Sequence, residues 1–192
     1  MERPTIATVA ARTRVLAEEA WIACPKTSNK GDAGILLELL TGIPSSSAHL
    51  DCLDGEVKTF PLKRNRDGSL VPKETIAVTM VNAKSLTDQC DFATSTCGSK
   101  LAHVLYIPYL RESDTHVKFF PPTEVTLTAD VLALLSEDYR SIRDGFLTHG
   151  ELTSKTGAFL QNRTKGAGGS APKTRAFYLK KEFIRSFITK TW

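Results

Sequence analysis

Several stretches of the chain repeat apolar residues at the spacing of a helix, every three or four positions. These stretches are residues 6–23, 33–40 and 129–146, and a final amphipathic segment marked by Phe183, Phe187 and Ile188. In the first stretch the expected core contacts are Val9, Leu16, Ala20 and Ile22. In the second, Asp32 is expected to cap the helix from a turn over residues 29–32, and Gly42 is expected to end it.

Other segments are short, apolar and rich in β-branched or aromatic residues, which is typical of strands. The predicted strands are residues 55–62, 75–81, 103–109, 125–127, 158–161 and 176–179. We expect the runs at 75–81 and 103–109 to be central strands. Residues 63–68 form a polar turn and residues 165–170 a flexible glycine-rich loop. Since neither a repeat nor a long linker interrupts the pattern, it predicts one α/β domain over residues 1–192.

The composition is that of a globular protein with a real core. Of the 192 residues, 41% are hydrophobic and 24% are charged. No apolar run reaches the length of a membrane span, and the N-terminus lacks the pattern of a signal peptide. We therefore expect a cytoplasmic protein without a membrane partner. The cysteines lack the close spacing of a zinc site, so free and mostly buried thiols are expected at Cys24, Cys52, Cys90 and Cys97.

Positive charge is concentrated in the C-terminal part of the chain. Residues 151–192 hold nine Lys or Arg against two Asp or Glu, whereas residues 1–150 hold 16 against 19. A basic segment attached to a slightly acidic body suggests that one part of the fold binds a polyanion. A solvated basic face is the alternative explanation.

The segment Asp51-Cys-Leu-Asp-Gly-Glu56-Val-Lys58 carries the clearest candidate chemistry. On a strand, Glu56 and Lys58 point to the same face, and Asp51 arrives from the preceding turn. Two carboxylates can hold Mg²⁺, which polarises a phosphate and lowers the pKa of a bound water. The lysine can stabilise developing charge or position the attacking water. The cluster therefore suits phosphodiester hydrolysis.

Each element of this pattern also has an ordinary structural explanation. Short acidic-ExK triplets occur by chance on solvated strands. Asp54 competes with Asp51 for the catalytic role, although its position before a turn glycine favours a structural one. Glu38 is the one charge in an apolar helix, where it either reaches solvent at the helix edge or joins the acidic cluster beside the strand.

Three landmarks occur in the order found in MutH, the mismatch-repair nicking endonuclease. They are Asn29-Lys-Gly-Asp-Ala-Gly-Ile-Leu-Leu-Glu38, Glu56-Val-Lys58-Thr and Phe177-Tyr178-Leu-Lys-Lys-Glu-Phe. The stretch from Thr59 to Leu70, with Lys73-Glu-Thr after it, resembles more closely the related type II restriction enzymes that cut at GATC. The resemblance runs from about Lys30 to the C-terminus, and the segment before Thr27 shows no match.

This resemblance implies a PD-(D/E)xK restriction-endonuclease-like fold, with a central mixed sheet flanked by helices, and Mg²⁺ as the cofactor. It assigns the catalytic roles to Glu38, Asp51, Glu56, Lys58 and Lys100, with Asp51 and Glu56 as the metal ligands. It also places double-stranded DNA against the basic C-terminal part, about residues 151–192, through Arg163, Lys165 and Tyr178. For Arg163 and Lys165, phosphate contact without base reading remains the alternative.

The function predicted from the sequence is Mg²⁺-dependent cleavage of double-stranded DNA at a short site, with GATC as the candidate. A methyl-directed nickase of mismatch repair is the alternative within the same class, and a MutL-like activator belongs to that role alone. The other candidates are a DNA-binding module without catalysis and a nuclease without sequence preference. With one active site, a single domain either nicks or cuts both strands by forming a homodimer or acting twice.

Overall fold

The computed structural model describes residues 2–27, 31–81, 83–89, 91–150, 152–165 and 174–192. The strands are β1 (Ile22–Ala23), β2 (Glu56–Arg64), β3 (Leu70–Pro72), β4 (Ile76–Val81), β5 (His103–Arg111), β6 (His116–Phe119), β7 (Thr123–Thr126), β8 (Leu160–Thr164) and β9 (Arg175–Leu179). The helices are α1 (Ile6–Glu18), α2 (Asp32–Thr41), α3 (Ala83–Asp88), α4 (Thr96–Leu101), α5 (Ala129–His149) and α6 (Lys181–Phe187).

The chain divides into two compact units. The first comprises Met1–Glu74, His103–Val125 and Ile188–Trp192, and the second comprises Thr75–Ala102 and Thr126–Phe187. The basic segment 151–192 contributes to both units. A single MutH-like domain over residues 1–192 stays a prediction.

The first unit is built on a mixed sheet. Over the described residues this sheet has six strands in the order β1-β6-β5-β2-β3, with β7 also paired to β5. Strands β2 and β5 run parallel, with Glu56 opposite Val104 and Lys58 opposite Tyr106. The β1–β6, β2–β3 and β5–β6 pairs are antiparallel. The predicted central mixed sheet is thus confirmed, and β5 is a central strand as expected.

Two helices cover this sheet and form its core. Helix α1 packs against β5 and β6, and α2 packs against β2. The side chains they bury together include Ile6, Val9, Leu37, Leu105, Ile107, Val117 and Phe119. Helix α2 ends where the sequence predicted, because Gly42 takes the left-handed conformation at φ 75° and its N–H bonds the carbonyls of Glu38 and Leu39.

The second unit has its own sheet and core. Over the described ranges its sheet has the order β4-β9-β8, with antiparallel pairs throughout. Helix α5 packs against β8, and the Tyr139 ring on α5 lies 5.4 Å from the Phe177 ring on β9. The predicted helix over residues 129–146 is confirmed as α5.

The sequence overestimated the first helix. Helix α1 ends at Glu18, because Glu19 leaves helical geometry with ψ 141° while its N–H caps the Leu16 carbonyl. Ala20 is exposed rather than a core contact. Ile22 lies on strand β1, opposite Val117 of β6, so its burial comes from the sheet.

Two further predictions were wrong, and some elements were missed. Asp32 does not cap α2: Gly31 holds that position, and the Asp32 carboxylate accepts from Thr27 N and Oγ1, both at 2.7 Å. Residues 29 and 30 of that turn lie outside the described residues. Strand β4 stands at the end of the described order rather than at its centre. The unpredicted elements are β1, β3, β6, α3 and α4, all of which are too short to give a periodic signal.

Two general expectations can be compared with the structure. Cys24, Cys52 and Cys97 are buried and free, as predicted, and Cys90 lies outside the described residues. Within the described part of the chain, no helix combines the length and apolar character that crossing a membrane requires.

Candidate active site

Strand β2 begins with Glu56, and Lys58 follows on the same face of the strand. The Glu56 side chain is 2% exposed, and its Oε1 lies 2.6 Å from Lys58 Nζ. The Lys58 side chain keeps 18% of its exposure. A buried carboxylate therefore holds an ammonium group whose other side faces solvent, where an anionic substrate can approach it.

The turn that leads into β2, Leu50–Gly55, is called the catalytic turn below. Within it, Asp51 folds back so that its Oδ2 accepts a hydrogen bond from Val57 N at 3.0 Å. The turn lies so close to β5 that a Cβ on Gly55 would stand 2.7 Å from the His103 carbonyl oxygen. Glycine is thus required there. Asp51 lies at the head of β2, where the sequence predicted it.

The N-terminal segment carries no recognisable functional motif, yet it holds the catalytic turn. Arg3 Nη1 donates to the Leu50 carbonyl at 3.0 Å. The Ile6 N–H, at the start of α1, donates to Asp54 Oδ1 at 2.8 Å. The structure thereby gives Asp54 the structural role that its place before the turn glycine indicated, and it leaves Asp51 as the acidic residue of the turn nearest the strand head. Arg3 was missed because its contacts are with backbone carbonyls far along the chain.

Helix α2 directs Glu38 towards strand β2. One turn before Glu38, Gly34 packs so closely on β2 that a Cβ there would lie 3.3 Å from Thr59 Oγ1. Residues four apart share a helix face, so the half-buried Glu38 side chain lies on the face that packs against β2. The solvent-facing alternative for Glu38 is therefore the weaker one.

Shifted pKa values show that these groups share one electrostatic environment. Burial raises the pKa of Glu38, the negative charges of Asp51 and Glu56 raise it further, and the Lys58 ammonium opposes the shift. Beside them, burial and then the surrounding carboxylates, Asp51 foremost, raise the pKa of Cys52 to about 12. Three carboxylates and the Lys58 ammonium therefore act on one another in this site.

The donor set suits Mg²⁺ better than a transition metal. Among the described residues, no three His, Cys, Asp or Glu side chains stand close enough to form a preformed metal cage. Mg²⁺ does not need one, because it is usually held by one or two carboxylates and completes its shell with waters and substrate phosphate oxygens. Asp51 and Glu56 are the residues that fit this mode of binding.

Lys100, the remaining candidate, lies in the last turn of α4, in the second compact unit. Its chain position shortly precedes β5, whose Val104 pairs with Glu56. Its assignment as a second catalytic lysine stays a prediction.

The candidate DNA-binding residues Arg163 and Tyr178 lie together on the sheet of the second unit. The Arg163 guanidinium carbon stands 5.3 Å from the centre of the Tyr178 ring. Arg163 Nη1 also donates to Thr75 Oγ1 at 3.0 Å. An exposed arginine is thus held by a ring and a hydroxyl, which reduces the conformational freedom it would lose on binding a ligand.

Lys165, next to this pair, follows β8 and keeps its side chain exposed. Its N–H donates to the Thr174 carbonyl at 2.8 Å, so the backbone of the two strands remains joined at this point. The predicted glycine-rich loop runs from Lys165 into residues 166–170, which lie outside the described residues. The DNA-binding roles of Arg163, Lys165 and Tyr178 stay predictions.

Replacing Glu38 with glutamine is expected to raise the thermal stability of the protein at pH 7.5. The folded protein raises the pKa of Glu38 above its usual 4.5, so the ionised form is penalised in the folded state. The penalty is absent below pH 4.5 and appears as the pH rises through the folded pKa, so the gain should fade in acid. Thermal unfolding followed by circular dichroism at pH 4 and pH 7.5 measures both values.

Glu18→Gln, an exposed position on α1, is the matched control and should change the midpoint little at either pH. A Glu38→Gln midpoint at or below that of the wild type at pH 7.5 would contradict the repulsion inferred among the three carboxylates.

Known proteins are similar to this chain in part of its sequence and in its fold. The family described as "MutH: DNA mismatch repair enzyme MutH" matches residues 44–138, which include the catalytic turn, β2 and Lys100. None of the curated protein sequences matches the chain. The solved structure titled "Restriction endonuclease MvaI-cognate DNA substrate complex" has the same fold, with a TM-score of 0.50 at 13% identity over 95% of this chain and 96% of that one. The family match over about half of the chain and the shared fold together support a MutH-like or restriction-endonuclease type of DNA endonuclease.

Proposed function

We propose that the protein is a Mg²⁺-dependent endonuclease that hydrolyses phosphodiester bonds of double-stranded DNA at a short specific site, with GATC as the candidate sequence. The observation that carries the proposal is the buried Glu56–Lys58 ion pair, 2.6 Å long, at the head of a strand onto which Asp51 folds back. Glu38 extends this acidic cluster from α2. We place its action in the cytoplasm.

In this proposal Asp51 and Glu56 hold Mg²⁺, and Glu38 adds negative charge beside them. When bound, Mg²⁺ supplies Lewis-acid polarisation of the phosphate and a more acidic water. Lys58, which Glu56 holds in place, donates a hydrogen bond to the phosphate or to the attacking water. Water adds to phosphorus, the bond to the 3′ oxygen breaks, and the product keeps a 5′-phosphate. Lys100 is proposed to stabilise the same developing charge.

Recognition is assigned to the second unit. Arg163 presents a fork that can bind O6 and N7 of guanine together, and its contacts with Tyr178 and Thr75 support it in a defined position. Lys165, exposed beside it, suits a phosphate contact that sets the register on the duplex. Tyr178 is proposed to lie near the adenine of the target, where methylation would be sensed.

The test uses a supercoiled plasmid rich in GATC, prepared with and without adenine methylation and incubated with the protein and Mg²⁺. Discrete linear fragments with ends at GATC are expected, and the Glu56→Ala variant should yield none. Sequencing the fragment ends gives the site. Binding of the plasmid without any cleavage would overturn the catalytic proposal in favour of a DNA-binding module, and random ends would point to a nuclease without sequence preference.

The match to a mismatch-repair family makes nicking the second candidate function. In the same experiment a nickase would convert the supercoiled plasmid to open circles without linear fragments. Stimulation by a MutL-like protein would then be the further expectation. Linear fragments whose yield rises with the square of protein concentration would instead support cleavage by a homodimer.

A further inference from the structure

His103, the first residue of β5, connects two parts of the first unit that the proposed mechanism does not link. Its Nδ1 lies 2.8 Å from the carbonyl oxygen of Asp54 in the catalytic turn. Its Nε2 lies 2.7 Å from Glu124 Oε1 on β7. The imidazole therefore bridges the catalytic turn and a neighbouring strand of the same sheet, and its side chain is 25% exposed.

The partners decide the protonation state of the ring. A backbone carbonyl oxygen and a carboxylate oxygen can only accept hydrogen bonds, so both ring nitrogens must donate. Only the doubly protonated imidazolium does this, because a neutral ring of either tautomer would direct a lone pair at one of the two acceptors. Burial alone would lower the pKa of His103, but the bonds to Glu124 and to the Asp54 carbonyl, with the negative charges of both residues, raise it.

We propose that His103 is a positioning residue for the active site: as an imidazolium braced by Glu124, it fixes the catalytic turn that carries Asp51 and leads into Glu56. The proposal rests on the proposed nuclease function for its kinetic test, but not for its structural one. It assigns a role to two residues, His103 and Glu124, that lie outside the catalytic cluster.

Other contacts of the turn show why this bond matters. Arg3 holds the start of the turn at the Leu50 carbonyl, and the Ile6 N–H holds the Asp54 carboxylate. His103 contacts the backbone carbonyl of Asp54, directly before Gly55, where the turn lies close to β5. Without this contact the turn loses its restraint on the β5 side, and a displacement on the order of 1 Å at reacting groups can cost about 100-fold in rate.

The first test needs no activity. In the wild-type protein, ¹⁵N NMR of the imidazole groups should show His103 protonated at both nitrogens at pH 7, with a pKa above the ordinary 6.5. The backbone amide signals of Cys52 and Gly55 should shift with the same midpoint. His116, which is exposed on β6, is the internal comparison. A neutral His103 at pH 7, or a titration that leaves the turn amides unmoved, would overturn the proposal.

The second test compares cleavage of the GATC-rich plasmid by variants at Glu124. Glu124→Ala removes the brace and should lower kcat about tenfold, with KM for the plasmid nearly unchanged, because the turn and not the DNA surface is disturbed. Glu124→Gln can hydrogen-bond either form of the ring, since its amide both donates and accepts. It should keep kcat within about twofold of the wild-type value and resist the loss of rate that we expect of the wild type at alkaline pH.

His116→Ala serves as the control and should cleave like the wild type. A Glu124→Ala variant with wild-type kcat would reject the positioning role of His103 and Glu124. A Glu124→Gln variant that cleaves as slowly as Glu124→Ala would reject it as well. Failure of the wild type to cleave at all would reject the proposed function, while the NMR result would still decide the state of His103.

Discussion

Lys58→Met is expected to lower the single-turnover rate of plasmid cleavage by roughly a thousandfold, with DNA binding retained. The ammonium lies 2.6 Å from Glu56 Oε1 and is the cation that opposes the carboxylates around Glu38. Removing one preorganised donor at a site of developing charge costs about 100- to 1,000-fold in rate. Loss of the cation also removes the positive charge that offsets Asp51 and Glu56 at Glu38, which places the expected effect at the upper end.

Lys63→Met is the matched control, because Lys63 lies on the same strand and its side chain is exposed. It should cleave at a rate close to that of the wild type. Quenched-flow cleavage measured alongside plasmid binding separates loss of chemistry from loss of affinity. Wild-type cleavage by Lys58→Met would remove Lys58 from the mechanism and would leave the catalytic charge to Lys100.

The contact between Glu56 and Lys58 could be predicted from sequence because it depends on local geometry. Glu56 and Lys58 are two apart on a strand, and that spacing alone fixes their common face. Asp54 could be separated from Asp51 in the same way, since its place before Gly55 favoured a structural role and its carboxylate indeed bonds the Ile6 N–H. Local rules of this kind hold wherever the element itself is correctly predicted.

Contacts between distant segments could not be predicted in this way. Arg3 and His103 act on backbone carbonyls, which every residue possesses, so no side-chain pattern marks their targets. Asp32 illustrates the opposite error: its sequence context is that of a helix cap, but Thr27 offers it a backbone and a hydroxyl donor together. Competition of this kind between neighbouring residues decides which of several satisfactory local bonds forms.

Strand β8 depends on a buried residue in the neighbouring helix α5 that the sequence did not single out. Asp138 on α5 is 6% exposed. Its carboxylate accepts backbone N–H groups from Ala158 at 2.6 Å and from Phe159 and Leu160 at 2.7 Å. These residues lead into β8, which carries Arg163. The helix therefore fixes the start of the strand on which the proposed base-reading residue stands.

The turn before this strand has little freedom to adjust. Gly157 has a φ of 84°, and a Cβ there would stand 1.9 Å from the Leu160 carbonyl oxygen. Lys180 Nζ donates to the Gly157 carbonyl, which ties the same turn to the residue after β9. Because this turn has little freedom, the three N–H groups do not reach other acceptors if Asp138 is changed. The full free-energy cost of unsatisfied buried donors then lowers the stability of the fold.

Asp138→Asn is accordingly expected to lower the free energy of unfolding by about 3–5 kcal/mol, since hydrogen bonds to a charged acceptor contribute about 1.5–3 kcal/mol each and an orphaned buried donor costs about 1–3 kcal/mol. The asparagine keeps the shape of the side chain but turns an NH₂ group towards backbone N–H donors. For a chain of this size the unfolding midpoint should fall by roughly 10 °C.

Asp144→Asn, on the same helix but exposed and 3.7 Å from Arg143, is the control and should cost less than about 1 kcal/mol. Urea unfolding of the two variants gives the difference, and plasmid binding below the midpoint shows whether β8 still presents Arg163. Equal stability of the two variants would mean that the N–H groups of residues 158–160 find other partners. In that case the Gly157 turn, and not Asp138, would fix the position of the start of β8.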